Sequence, residues 1–152
     1  MGIKEEYIAL SKKHKLPSFA EMEREFEIST VDEEGFLLRE VRRKIAEKIE
    51  LYFKFLEEIL QPETTIANMH ESREFNEEER EKIFRLYSKL MFLYRLSMET
   101  SVHEDDKKSA DYINTVFTDW GSIKDQFSKI VAKAKESWLN ETNIKEDLGY
   151  MG

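Results

Sequence analysis

The stretch LLREVRRKIAEKIELYFKFLEEIL, residues 37–60, decides the fold class of this chain. Its apolar side chains recur every three or four positions, which is the spacing of residues along one face of an α-helix. The residues on this face are Leu38, Val41, Ile45, Ile49, Tyr52, Leu56 and Ile59. We predict a helix of about six turns that begins near Asp32 and stops at Gln61, because the residue before a proline disfavours the α conformation.

Two short helices are predicted on the N-terminal side of this stretch. The first covers about Lys4–Lys13 and ends before Pro17 for the same reason. Ser18 and Glu21 then match a capping box, in which each side chain accepts a hydrogen bond from the other residue's backbone N–H. The second helix therefore begins after Ser18, and one apolar stripe follows along it, formed by Phe19, Met22 and Phe26.

Three further long helices are predicted after Pro62, with a single helical turn between 63 and 75. Asn76, followed by three glutamates, caps the first of them, since acidic side chains favour the positive end of a helix. Asp105 or Asp106 caps the next helix, and Gly121 is expected to terminate it. The serine that follows Gly121 begins the last long helix.

These predictions give an all-α fold, an antiparallel bundle of four main helices with short N-terminal helices, because short connections place consecutive helices antiparallel. Only 5 of the 152 residues are Gly and 2 are Pro, and the alternation typical of strands is nearly absent. The length fits one domain, which we assign to residues 1–139. Residues 140–152 lack a long apolar pattern, so we expect a flexible C-terminal tail there.

The composition excludes several classes of protein. The net charge is −8, with 37% charged and 40% hydrophobic residues, which is too charged for a membrane protein and too apolar for a disordered one. No apolar run approaches the ~20 residues that span a bilayer, and the N-terminus lacks the apolar core of a signal peptide. The chain has no Cys. We therefore predict a cytoplasmic protein with no membrane partner.

No catalytic signature is recognisable in the sequence. It contains no nucleophile elbow, P-loop or dinucleotide fingerprint, and no Glu-x-x-His pair of the kind that builds a dimetal site in a bundle. Residues 103–106, His-Glu-Asp-Asp, contain ligands for a hard cation, but acids at this position more commonly cap the following helix. We predict no catalytic residue, no cofactor and no metal.

The one basic stretch of the sequence spans 39–54 and begins with Arg39, Arg42 and Arg43. Together they form a candidate face for nucleic acid or for a protein partner. The alternative is a solvated helix surface, since Glu40 precedes Lys44 by four residues, the favourable order for an ion pair within a helix. We favour this alternative because mixed charges on a helix face are usually solvated.

Arg95 is unusual because it lies within the apolar run at 91–96. A buried arginine needs a carboxylate or several carbonyl groups around it, so Arg95 is a candidate for a buried polar site. The alternative is that its aliphatic stem crosses the apolar surface and its guanidinium group reaches water. We favour the second interpretation.

The chain also resembles known helical proteins. Residues 37–60 and the segment FNEEEREKIFRLYSKLMFLYR, residues 75–95, resemble small uncharacterised archaeal all-helical proteins, a resemblance that extends over 16–138 and transfers no catalytic residue. The order of a basic helix at Arg42–Ile45, an acidic cap and a second helix at Leu86–Leu90 is similar to the helical domain of GINS replication proteins. That similarity implies an association with nucleic acid.

Three functional hypotheses follow from the sequence. The leading one is a non-enzymatic module for protein–protein interaction or scaffolding, with an unknown protein partner or a homodimer, because helical bundles present grooves to partner helices. The second is a nucleic-acid-associated accessory factor that uses the basic face at 39–54. The third is a small-molecule-binding bundle with Arg95 or His103 in its pocket.

Overall fold

The computed structural model describes residues 2–31 and 36–140. Within these ranges the chain is all-helical, with no strand, which confirms the predicted fold class. A 3-10 helix spans Ile28–Thr30. The α-helices are α1 (Ile3–His14), α2 (Phe19–Phe26), α3 (Leu37–Leu60), α4 (Ile66–Arg73), α5 (Glu77–Val102) and α6 (Asp106–Ser137). The predicted tail lies outside the described residues, apart from its first residue, Asn140.

Three of the predicted helix starts are confirmed by their capping hydrogen bonds, whereas the start predicted near Asp32 lies outside the described residues. The hydroxyl of Ser18 accepts from the backbone N–H of Glu21 at 3.1 Å. Asn76 and Glu79 each accept from the other's backbone N–H, at 2.9 and 3.0 Å, which completes a capping box before α5. The carboxylate of Asp105 accepts from the backbone N–H three residues later, at 2.7 Å, so Asp105 caps α6.

The predicted break at Gly121 is wrong, because α6 continues through this residue as one helix of 32 residues. A glycine ends a helix only where the backbone turns into the left-handed region, and inside a helix it costs about 1 kcal/mol relative to alanine. Burial of Trp120 and Ile123, on either side of Gly121, outweighs that cost. The two helices predicted on either side of Gly121 are therefore one helix, and the described chain has three long helices instead of four.

The chain divides into two compact units, each of which takes residues from α3, α5 and α6. Unit 1 comprises 1–50 and 92–121, and unit 2 comprises 51–91 and 122–152. The fully buried large side chains of unit 1 are Tyr7, Met22, Ile28, Leu38, Ile45, Ile49, Tyr112 and Trp120. Those of unit 2 are Leu56, Ile59, Ile83 and Leu90.

The part of α3 that belongs to unit 2 carries more aromatic residues than one helix face can bury. Phe53 is buried, whereas Tyr52 and Phe55 are half-buried. The ring of Phe127 stacks on Tyr52 with centroids 3.9 Å apart and meets Phe55 edge-on at 5.8 Å. A second packed layer from α6 thus covers both side chains, as expected for aromatic residues outside the main apolar face.

Candidate functional site

A buried arginine organises the polar interior of unit 1. Arg42, on α3, is only 3% exposed. Its Nη1 donates to the backbone oxygen and the hydroxyl of Ser97 at 3.0 and 2.8 Å, and its Nη2 donates to Glu104 Oε2 at 2.7 Å. The guanidinium group therefore connects α3 to α5 and to the segment before α6. A buried cation of this kind requires its carboxylate partner.

The network continues from the carboxylate into α6. Ser109, which is fully buried, donates to Glu104 Oε1 at 2.8 Å. Tyr112 lies close to Arg42 and is also buried, and its hydroxyl makes no hydrogen bond with another described atom. Burial raises the pKa of the Tyr112 phenol, while the positive charge of Arg42 opposes that shift. The hydroxyl group of Tyr112 is therefore neutral and lies at the edge of the ion pair between Arg42 and Glu104.

A cleft of about 330 Å³ adjoins this network in unit 1. Its lining residues are Leu96, Glu99, Thr100, His103, Lys108, Asp111 and Tyr112. Glu99 and Asp111 make no ion pair with any residue of the described ranges, and both are exposed. The cleft therefore combines an apolar wall and a buried hydroxyl with two carboxylates, Glu99 and Asp111, and one ammonium group, that of Lys108.

Beside the cleft, α5 carries an exposed apolar face. Phe92 is 63%, Met98 52% and Val102 70% exposed. Arg95 lies between them on the same side of the helix. These four residues form what we call the α5 face. Large apolar side chains grouped on a surface are typical of an interaction site, whereas isolated ones are ordinary.

Arg95 is exposed, so the candidate buried polar site at this residue is wrong. Its Nη1 contacts the sulfur of Met98 at 3.2 Å, and its guanidinium carbon lies 5.8 Å from the centroid of the Tyr94 ring. Leu93 and Ser97 are buried, and Arg95 lies two positions from each of them. Two positions along an α-helix correspond to a rotation of just over half a turn, so Arg95 points to the opposite side of the helix. The buried arginine of unit 1 is Arg42 instead.

Arg39, Arg42 and Arg43 do not form one exposed basic face. The guanidinium group of Arg42 is buried, while Arg39 and Arg43 both contact Glu40 Oε1, at 3.4 and 3.1 Å. Arg39 also lies over the ring of Phe36, 5.1 Å from its centroid. The sequence carried the signal for this arrangement, since Arg42 falls on the line of Leu38, Ile45 and Ile49 at helical spacing.

A buried carboxylate in unit 1 was not predicted from the sequence. Glu25 is 7% exposed, and its Oε1 accepts from Trp120 Nε1 at 2.8 Å. Lys48 donates to the backbone oxygen of Glu25 and lies over the rings of Phe26 and Trp120. A lone glutamate in a short helix gives no signal of burial, because its partner is 95 positions away. We interpret this cluster as structural.

The described residues contain no group of three or more His, Cys, Asp or Glu side chains placed to hold a metal ion. Within the segment 103–106, Glu104 accepts hydrogen bonds from Arg42 and Ser109, and Asp105 caps α6. His103 lies in the wall of the cleft. Hydrogen bonds within the protein therefore occupy two of the acids that the sequence offered as cation ligands.

No known protein family, curated protein or solved structure matches this chain. The resemblance to small archaeal helical proteins and to the GINS helical domain stays a prediction. Among the described residues, no helix is both long enough and apolar enough to cross a membrane.

Proposed function

We propose that this protein is a non-enzymatic interaction module that binds a partner helix on the α5 face and the adjoining cleft of unit 1. The observation that carries the proposal is the exposure of Phe92, Met98 and Val102 beside a cleft of about 330 Å³. An amphipathic helix places anchors at every third or fourth residue, and on α5 Val102 follows Met98 by four residues while Phe92 precedes Met98 by six, which is two such steps. Central apolar anchors contribute most of the binding energy at such interfaces.

The charges at the cleft favour a partner helix with a lysine or an arginine next to its apolar stripe. Glu99 and Asp111 line the cleft together with the single ammonium group of Lys108, and neither carboxylate forms an ion pair within the described ranges. The whole chain has a net charge of −8, so its field also attracts a cationic partner. A cation that reaches these carboxylates fixes the register of the partner, since complementary charges contribute specificity and association rate more than affinity.

The buried network supports the proposal because it holds the face in place. Arg42 bonds to Ser97 on α5 and to Glu104 immediately after α5, on the buried side of the helix that carries the face. A surface that is ordered before binding loses less conformational entropy when the partner arrives. The exposed side of α5 is therefore suited to docking without rearrangement.

Two further predictions from the sequence belong to this proposal. One is the antiparallel order of consecutive helices in a bundle, which the short connections 61–65, 74–76 and 103–105 support. The other is a cytoplasmic location, which the absence of Cys supports. Both describe the setting in which an interaction module of this kind would work.

The test is affinity capture from native extract, with and without nuclease, followed by calorimetry with the purified partner. Val102→Glu places a charge in the α5 face and is expected to weaken binding by about tenfold or more. Glu99→Lys is expected to weaken the binding of a cationic partner, because the two positive charges repel each other. Leu139→Glu, at an exposed residue of unit 2, is the matched control and should bind as the wild type does.

Two outcomes would overturn the proposal. One is a partner that binds Val102→Glu and the wild type equally well. The other is recovery of nucleoprotein that disappears on nuclease treatment, which would favour the accessory-factor hypothesis. Sedimentation of the purified chain over a range of concentrations distinguishes a second copy of the chain from a different partner.

A further inference from the structure

Unit 2 contains a second cleft whose lining separates into an apolar floor and a basic rim. Its volume is about 370 Å³, within the range of pockets that bind small molecules. The floor consists of Phe75, Ile83 and Ile130, and the rim consists of Lys82, Lys129 and Lys133. None of these residues belongs to the α5 face or to the cleft of unit 1.

The rim carries more positive than negative charge. Glu79 is the one acidic side chain in the described lining, and Lys133 donates a hydrogen bond to it. Lys129 pairs with Asp125 outside the cleft at 3.2 Å, where both side chains are exposed and the pair is weak. Lys82 makes no ion pair with another described residue. This local excess of ammonium groups is notable in a chain whose net charge is −8.

Lys133 is held in position by two contacts. Its ammonium group bonds to Glu79 and lies 5.3 Å from the centroid of the Phe75 ring. The same hydrogen bond lowers the pKa of Glu79, so this carboxylate stays ionised. The aliphatic part of a lysine extends an apolar surface while its charge stays at the rim. Lys133 therefore contributes to the wall of the cleft and leaves Lys82 and Lys129 to meet a ligand.

We propose that this cleft binds a small amphipathic anion, namely a carboxylate attached to a medium-length apolar chain. The carboxylate would meet Lys82 and Lys129, and the apolar chain would lie on Phe75, Ile83 and Ile130. Apolar contact supplies the affinity, and the ammonium groups exclude neutral and cationic compounds of the same length. This ligand site is independent of the proposed partner-helix surface, because the two share no residue.

The test is titration of the full chain with decanoate below its micelle concentration, followed by calorimetry and by amide chemical shifts. One equivalent is expected to bind and to shift residues of α5 and α6 within unit 2. Both 1-decanol and decyltrimethylammonium should bind about tenfold more weakly or not at all. Added salt should weaken the binding of decanoate, because the rim is exposed.

Two variants and their controls make the result specific. Lys82→Gln combined with Lys129→Gln is expected to weaken decanoate binding by about tenfold without altering the circular dichroism spectrum. Lys12→Gln combined with Lys13→Gln, on α1, removes the same charge elsewhere and should leave binding unchanged. Ile130→Asp tests the floor and should also weaken binding, since it places a carboxylate beneath the ligand.

Several outcomes would overturn this proposal. They are equal binding of 1-decanol, unchanged binding by the Lys82 and Lys129 double variant, or many equivalents bound without saturation. Binding to vesicles that contain phosphatidylglycerol, with no binding of free decanoate, would also overturn it and assign the cleft to a lipid surface. Each of these results leaves the partner-helix proposal for unit 1 unaffected.

Discussion

Each unit of this protein contains an arginine whose guanidinium group makes several hydrogen bonds, and the acceptors of these bonds differ between the two units. Arg42 in unit 1 is fully buried and pairs with the carboxylate of Glu104. Arg80 in unit 2 is partly buried and donates to backbone oxygens, from Nε to Phe75 at 3.1 Å and from Nη1 to Ile59 at 2.9 Å. Its Nη2 donates to the backbone oxygen and the hydroxyl of Ser72.

The difference teaches what each arginine compensates for. The last carbonyl groups of an α-helix have no partner within the helix and carry the negative end of its dipole. Ile59 and Ser72 lie in the last turns of α3 and α4, so Arg80 caps two helices at once. Arg42 instead neutralises a single carboxylate and connects three segments. The arginine of unit 1 therefore forms an ion pair with one carboxylate, whereas the N–H groups of the arginine in unit 2 donate to carbonyl groups at helix ends.

The largest expected effect is that of Arg42→Ala. Removal of Arg42 leaves the carboxylate of Glu104, whose side chain is 22% exposed, without its charge partner, so we expect a loss of about 3 kcal/mol in the free energy of unfolding, at the lower end of the range for a buried pair. Urea denaturation measures it. The matched control is Arg43→Ala, an exposed neighbour on the same helix, which should change stability by less than about 0.5 kcal/mol. Equal effects of the two substitutions would contradict the importance of the pair.

Arg80→Ala is expected to cost about 2–3 kcal/mol, because the freed carbonyl groups at this partly buried position regain water. Hydrogen exchange should accelerate at the ends of α3 and α4 and leave the amides around Ser97 protected. Arg85→Ala, which removes an exposed ion pair with Glu81, is the control and should leave exchange unchanged. Faster exchange confined to unit 1 would be incompatible with the capping role of Arg80.

Gly121→Ala is expected to stabilise the protein by about 0.5–1 kcal/mol. Alanine loses less conformational entropy than glycine in a helix, and an added Cβ meets no atom within 4 Å. Thermal unfolding of the two proteins measures the difference. Destabilisation would show that the glycine ends a helix, as the sequence suggested, and would separate the last helix of unit 1 from that of unit 2.

The smallest effect concerns pH and belongs to unit 2. The hydrogen bond from Lys133 and that from the backbone of Asn76 lower the pKa of Glu79 below its ordinary value of 4.5. A carboxyl group whose pKa is lower in the folded state contributes stability above its unfolded pKa and loses it as the pH falls through its folded pKa. Denaturant unfolding between neutral pH and about pH 2 should show this loss in the wild type.

Glu79→Gln removes the titrating group and is expected to flatten this part of the stability profile. The contribution is below about 1 kcal/mol, since the side chain is nearly one-third exposed. Glu81→Gln, at an exposed residue of the same helix, is the control and should keep the wild-type slope. A Glu79→Gln profile that runs parallel to the wild type would rule out the contribution of the Lys133 contact.

Several features of the fold were predictable because their causes lie close together in the sequence. The capping box of Asn76 and Glu79 needs only residues three apart, and the apolar face of α3 needs only a helical period. The failure at Gly121 has a clear cause. A glycine is compatible with a helix end and with a helix interior, and the burial of its neighbours decides between them.

The site was less predictable than the fold. Arg42 and Arg95 were both candidates for a functional role, and the structure reverses the exposure expected of Arg42 while Arg95 is exposed, as the favoured interpretation had it. The apolar run at 91–96 made Arg95 a candidate for burial, yet Phe92 in the same run is exposed as well. The basic cleft of unit 2 carried no signal at all, because its lysines lie on two helices and each has acidic neighbours in sequence.

By itself, the sequence determined that this protein is helical, where most of its helices begin, and which residues cap them. These properties depend on residues within one or two turns of each other. The tertiary structure decided which arginine is buried, because Ser97 and Glu104 lie 55 and 62 positions beyond Arg42. It also decided which lysines share a cleft. The helical period placed Arg42 on the apolar face of α3, but a buried charge is stable only where distant segments bring its partners to it, and the period along one helix does not identify those partners.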